Sequence, residues 1–277
     1  MGEKTGIAWT DSTFNPWHGC QRVSPGCENC YAEALDHRLG RSNWGPVSGG
    51  ANRQAMSEGY WKEPLRWNRQ AEKAQRRHRV FCASMCDVFE DTDHPVVIAA
   101  RARLWFLIQT TPWLDWQLLT KRPENFKRLL PWGIANDPWP NVWLGVTSED
   151  QRRADERIPI LLDTPAVIRF VSYEPALEFV DFEHLHMQGI TEIDAVRGTH
   201  GVIRPHGGKC ERLDWVIVGS ESGHGARPAR LEWYDRVRKL CQDTGVVFFG
   251  KQHANAHGMK LKLLFDGYED KNFPVPR

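Results

Sequence analysis

A chain of 277 residues with 41% hydrophobic and 26% charged residues has the make-up of a globular protein, long enough for one large or two small domains. A formal net charge of +1 excludes a global pull toward nucleic acid or an anionic membrane surface. No apolar run reaches the roughly 20 residues that cross a bilayer, and the opening Met1-Gly-Glu-Lys-Thr-Gly6 has no apolar signal core, so a cytoplasmic protein without a membrane partner is expected.

The first feature along the chain is a cysteine trio. Cys20, Cys27 and Cys30 form a C-x6-C-x2-C group within a stretch punctuated by Pro16, Gly19, Pro25 and Gly26. A helix is expected to begin near Glu28 and run through Tyr31-Ala-Glu-Ala-Leu35. Backbone N–H groups near such a start favour the negative charge of thiolates. Three thiolates leave a tetrahedral metal site one ligand short, so the metal can bind a substrate or cofactor directly. The spacing leaves two readings open: an iron–sulfur site, or a structural zinc site closed by His18 or His37. Seven cysteines in a reducing compartment read as metal ligands, reactive thiols or core fillers rather than disulfides.

From residue 80 onward short apolar runs alternate with helical segments. The runs are Val80–Ser84, Trp116–Thr120, Val142–Thr147, Val167–Ser172, Trp215–Gly219 and Val246–Gly250, suited to parallel strands covered on both faces. Helices are expected over Pro95–Gln109 and Pro123–Leu130. Another follows the capping-box pattern Ser148-Glu-Asp-Gln151 and ends near Leu162, and the last spans Leu231–Thr244 with Gly245 as its C-cap. The alternation argues for an α/β fold, either a barrel or a doubly wound sheet, in one domain over 1–277.

The ends of these runs are polar in a repeated way. Thr147-Ser-Glu149, Ser172-Tyr-Glu174 and Ser220-Glu221 each pair a hydroxyl with a carboxylate. Met85-Cys-Asp87, Thr120-Lys-Arg122 and Lys251-Gln252 supply acidic, cationic and amide groups. In a barrel such groups converge on the mouth at the C-terminal ends of the strands. Two segments fall outside the alternation. Residues 40–79 form a basic and aromatic insertion with Trp61, Trp67 and Arg76-Arg-His-Arg79, a candidate DNA or RNA contact by stacking and phosphate pairing. Residues 181–212 form a His- and Gly-rich insertion with His184, His186, His200, His206 and Cys210, read as a surface loop.

With a cysteine trio after the first strand and strand–helix units behind it, the chain resembles a radical S-adenosylmethionine enzyme. More closely, it resembles the phage Gp37/Gp68-like family of radical-SAM-like proteins. The resemblance is carried by Asn15-Pro-Trp-His-Gly-Cys20 with Cys27 and Cys30, Ser84-Met85, Asp87-Val-Phe89 and Leu119-Thr-Lys-Arg-Pro123. It continues through Trp143-Leu-Gly-Val-Thr147, Arg157-Ile-Pro159, Ser172, Glu174-Pro175, Gly219 and Glu221-Ser-Gly223. Ala226-Arg-Pro228, Lys251-Gln252 and Asp266-Gly267 complete it. One departure is the first cysteine gap of six residues, where three is commonest in radical SAM proteins.

The resemblance implies a partial (β/α)6 TIM-like barrel of the radical SAM kind, with the two insertions. It implies a [4Fe–4S] cluster on Cys20, Cys27 and Cys30, with S-adenosylmethionine bound at the fourth iron and cleaved to a 5′-deoxyadenosyl radical. An electron donor of the flavodoxin or ferredoxin type is implied as partner, and a nucleic-acid base is the candidate substrate for modification or repair. On this reading Lys121, Arg122, Thr147, Glu149, Ser172, Glu174, Gly219 and Glu221 are candidates for binding the cofactor. Asp87, Arg227, Lys251 and Gln252 are candidates for substrate, and Cys86 for hydrogen-atom transfer. The competing reading is a zinc-stabilised nucleic-acid-binding module without catalysis.

Overall fold

The computed structural model describes residues 5–133, 137–187, 191–201, 208–221, 223, 225–255 and 257–276. The chain divides into two compact units, Met1–Trp143 and Leu144–Arg277, and the fold is mixed α/β. Among the described residues the first unit contributes three strands of the larger sheet order and the second five, the division falling inside Val142–Thr147.

In the first unit Ser12–Thr13, His78–Cys82 and Leu114–Thr120 lie side by side and parallel, Ser12 opposite Val80 and His78 opposite Leu114. Val80, Leu114, Trp116 and Leu118 are fully buried, as expected of strands covered on both faces. Phe14 packs edge-on against Trp116 and Trp61 and stacks on Tyr60. The tryptophans here are core, each burying a large apolar ring. Helix Pro95–Gln109 follows as expected, with the His94 imidazole accepting the Val96 N–H at its start.

In the second unit the order is Val142–Thr147, Ile168–Tyr173, Trp215–Gly219, Val247–Ala254 and Lys260–Leu261, the last strand antiparallel. Trp215 sits among Phe170, Phe249 and Phe273. Helices Gln151–Leu162 and Leu231–Thr244 fall where the periodicity predicts, and Gly245 at φ +72° is the left-handed C-cap.

Three expectations need correction. The cap of Gln151–Leu162 is Asp150, whose carboxylate accepts the Arg153 N–H at 2.7 Å, so Ser148 lies outside the helix as a buried strand-end residue. The segment Pro123–Leu130 is a 3-10 turn, Pro123–Asn125, followed by one helical turn, Phe126–Leu129. The 181–212 segment is not a plain loop. Leu185–Met187, Thr191–Asp194, Thr199–His200 and Gly208–Lys209 form a small antiparallel sheet. Buried Leu185, Ile193, Ala195 and Val196 anchor it, too few apolar residues to stand out among the glycines. His184 ion-pairs with Asp181 at the surface, and His206 lies outside the described residues. Among the described residues no helix is long and apolar enough to cross a membrane.

Gly145 shows how closely the second unit is packed: a Cβ there would lie 2.4 Å from the Phe170 ring. Gly145→Ala should therefore destabilise by about 1–3 kcal/mol. Gly59→Ala, at a helical position with open space, should be neutral or slightly stabilising. Thermal unfolding of both variants checks the contrast.

Candidate functional site

The thiol loop is built in the first unit. Trp17–His18 is a two-residue strand paired with Gln54–Ala55, and it delivers the chain to Gly19 at φ +117°. There the Gly19 N–H donates to the Met85 carbonyl at 3.0 Å. Pro25–Cys27 is a 3-10 turn, and Cys30 is the N-cap of helix Tyr31–Arg38, which starts later than the expected Glu28. Asn15 ties the start of this region to residues 84–85: its side-chain amide oxygen Oδ1 accepts the Met85 N–H at 2.7 Å. The Tyr31 hydroxyl donates to the Ser84 carbonyl at 3.1 Å. Cys20, Cys27 and Cys30 are all free and half-buried.

Arg122 joins the end of strand Leu114–Thr120 to this loop. Its Nη1 donates to Asp87 Oδ2 at 2.7 Å and approaches Cys20 Sγ at 3.6 Å, and Nη2 donates to the Gln21 carbonyl at 2.8 Å. Thr120 Oγ1 donates to the same carboxylate. Both side chains of the ion pair are buried, so the attraction is strong and removing either partner strands a charge. Arg122 is thus an internal strut rather than a cation held out to a cofactor carboxylate. Asp87, expected to meet substrate, is committed to Thr120, Lys121, Arg122 and the Phe89 N–H.

Burial pushes the Cys20 thiol up to about 12 despite the Arg122 guanidinium beside it. Burial also raises Cys30, opposed by the backbone N–H groups of Glu33 and Ala32 and by Lys121. Cys86 is buried against Cys82, and burial holds its thiol protonated well above the ordinary range. His18 Nδ1 lies 3.0 Å from Arg41 Nη1. Arginine can only donate, so Nδ1 accepts and the ring proton sits on Nε2. Burial and Arg41 lower the His18 pKa and keep it neutral. Nδ1 is thus taken by Arg41, while Nε2 is buried without a hydrogen-bond partner among the described residues. His37 is exposed on its helix.

Three free thiols on one loop are donors of the type an iron–sulfur cluster takes; Lys121 and Arg22, the latter paired with Glu33, lie in the field of Cys30, and Arg122, paired with Asp87, lies in the field of Cys20. Among the described residues no three His, Cys, Asp or Glu side chains are gathered closely enough to hold a metal ion as they stand.

The second unit holds its own polar group. Strands Trp215–Gly219 and Val247–Ala254 slip register at Gly219, which faces Gln252 while Val218 faces Gly250. Lys251 is the extra residue of this bulge, and bulges re-aim side chains. Its Nζ reaches both oxygens of Glu174, at 2.6 and 2.9 Å, and Gln252 Nε2 lies 3.4 Å from one of them. Gly219 makes room: a Cβ would sit 3.2 Å from the Glu174 carboxyl carbon. The Tyr234 hydroxyl is buried nearby, in the field of Glu174 and beside Ser220. Glu174, Gly219, Lys251 and Gln252 are therefore together, as the polar strand ends suggested. Glu149 and Glu221 are elsewhere committed, Glu149 fully buried on Arg157 at 2.7 Å and Glu221 on Arg227. Thr147 and Ser172 are buried too.

The 61–79 segment departs from its expected role. Trp61 and Trp67 are core residues, which removes them as stacking surfaces. Arg66 pairs with Glu63, Arg77 with Asp115 and Arg79 with Asp11. Arg69 and Arg76 are exposed. Arg53 and Glu90, fully buried against each other at the back of the thiol loop, carry no signal in the sequence.

A thiol raised to about 12 is almost wholly protonated near neutrality. In metal-free, reduced protein at pH 8, Cys20 should alkylate at least about tenfold more slowly than in urea. The lost thiolate fraction outweighs the gain in nucleophilicity that comes with a higher pKa. The rate should climb as pH rises toward 12, and peptide mass spectrometry reads it directly.

No curated protein and no solved structure matches the chain significantly. A family model described as "Protein of unknown function (DUF5131)" matches residues 4–266, taking in the thiol loop, the strand ends and both insertions. The chain belongs to that family.

Proposed function

We propose that the chain is a cytoplasmic radical S-adenosylmethionine enzyme on a partial (β/α)6 barrel, with Cys20, Cys27 and Cys30 holding a [4Fe–4S] cluster. The donor set carries this reading: three free thiols on one turn-rich loop, with Lys121 in the field of Cys30 and with Nδ1 of His18 already taken by Arg41. When bound, such a cluster supplies the electron that cleaves S-adenosylmethionine, and the protein contributes binding, orientation and the exclusion of water.

The chain's own residues then divide the work. Arg122, braced by Asp87, fixes the Cys20 sulfur and the Gln21 carbonyl. Lys121, half-buried and within the field of Cys30, is the cation for the cofactor carboxylate, a role that Arg122 cannot share. Glu174 and Lys251 offer an acceptor and a donor at the strand ends of the second unit. Cys86, kept as a thiol by burial, retains the hydrogen that transfer to a substrate radical needs. A flavodoxin- or ferredoxin-type protein supplies electrons. A nucleic-acid base remains the substrate class, supported by the resemblance to phage proteins and by exposed Arg69 and Arg76.

Anaerobic reconstitution with iron and sulfide tests the centre. Wild type, Cys210→Ala and Cys241→Ala should turn brown and retain iron, whereas Cys20→Ala, Cys27→Ala and Cys30→Ala should lose it. Stoichiometric zinc in a colourless native protein would favour the zinc-stabilised module instead. For the substrate class, fluorescence anisotropy with single- and double-stranded DNA and with RNA should show binding that weakens with salt and on Arg69→Glu with Arg76→Glu. Absence of binding at low salt would direct the search to peptides or small molecules.

A further inference from the structure

Cys20 is held from behind as well as from Arg122. Arg53 uses all five of its N–H groups. Nε and Nη2 donate to the two oxygens of Glu90 at 2.9 and 2.5 Å. Nη1 donates to the carbonyls of Asn43 and Asn52 at 3.0 and 2.8 Å, and Nη2 also to that of Gly45 at 3.0 Å. Neither side chain of the pair has any exposure. Gly45 in turn donates its N–H to the Cys20 carbonyl at 2.9 Å. On the other side Gly19 is packed so tightly that a Cβ would lie 2.5 Å from the Asn43 carbonyl, 2.9 Å from that of Asn52 and 3.0 Å from Arg53 Cδ. Glu90 is itself anchored, since Arg101 donates to its carbonyl and to that of Val88.

The geometry points to Arg53, held by Glu90 and acting through Gly45, as the positioning residue for Cys20, so that residues 41–53 belong to the thiol centre and not to a separate binding element. The metal reading above gives this its functional meaning, but the positioning itself is read without metal. A fully buried guanidinium that gathers three carbonyls and a carboxylate fixes the backbone on both sides of Gly19–Cys20. A lysine has three donors on one nitrogen and cannot span that set.

The experiment uses the full chain, reduced and metal-free, and follows iodoacetamide labelling of Cys20 relative to Cys27 and Cys30 in the same molecules. Arg53→Met with Glu90→Leu removes both charges and so avoids stranding one. In that variant the relative labelling of Cys20 should rise about tenfold, as local opening becomes easier, while circular dichroism stays that of folded protein. Arg53→Lys should lie between wild type and the double variant, and it decides by the same ratio if the double variant does not fold. Iron uptake on anaerobic reconstitution should fall in the same order. An unchanged labelling ratio in a folded variant overturns the assignment, whatever the iron content. A raised ratio in a protein whose wild type takes up no iron would uphold the positioning and sink the metal reading.

Discussion

A guanidinium sealed away from water is stable only when its donors find acceptors and its charge a counter-charge, and this chain meets that condition twice around one cysteine. Arg122 with Asp87 and Arg53 with Glu90 are buried ion pairs whose remaining donors reach backbone carbonyls of the loops beside them. Such pairs contribute little net stability compared with apolar replacements, because desolvation offsets the attraction. Their value lies in geometry. The loop from Gly19 to Gln21, and the segment from Asn43 to Arg53 with its single 3-10 turn Val47–Gly49, acquire fixed partners through them. The placement of Cys20 depends on both.

The same reasoning separates the strand-end residues into two kinds. Glu149 and its partner Arg157 are both buried, and Glu221 is buried against an Arg227 that keeps 28% exposure. Glu174 and Lys251 are different. Here the carboxylate itself keeps some exposure, 18% against 0% for Glu149 and 6% for Glu221, and a bulge together with a glycine seats the pair. Bulges disrupt a ladder and leave one residue unpaired, so their presence at a polar strand end marks a side chain directed to a task. Within the second unit, this is the group best suited to meet a ligand.

Much of this was readable from the sequence. The apolar runs at 142–147 and 215–219, the helix over 95–109 and the Gly245 cap fall where periodicity and capping chemistry place them. Local signals of that kind are written in adjacent residues. The thiol loop was equally plain. Arg53–Glu90 was not, because a long-range pair 37 residues apart leaves no local pattern, and both residues look like surface charges in one dimension. For the same reason Trp61 and Trp67 read as stacking surfaces when the Phe14 cluster and the core had claimed them. Arg122 sits in a motif that suggested a ligand contact, and only its partners reveal a strut.

On the proposed function, the three thiols hold a cluster with one iron open to S-adenosylmethionine. Electron paramagnetic resonance of the reconstituted, dithionite-reduced protein tests it most directly. The expected result is a signal from a reduced [4Fe–4S] cluster whose shape changes when S-adenosylmethionine is added, as it would if that ligand bound an iron lacking a cysteine. A cluster signal indifferent to S-adenosylmethionine, or no cluster signal at all, would contradict it.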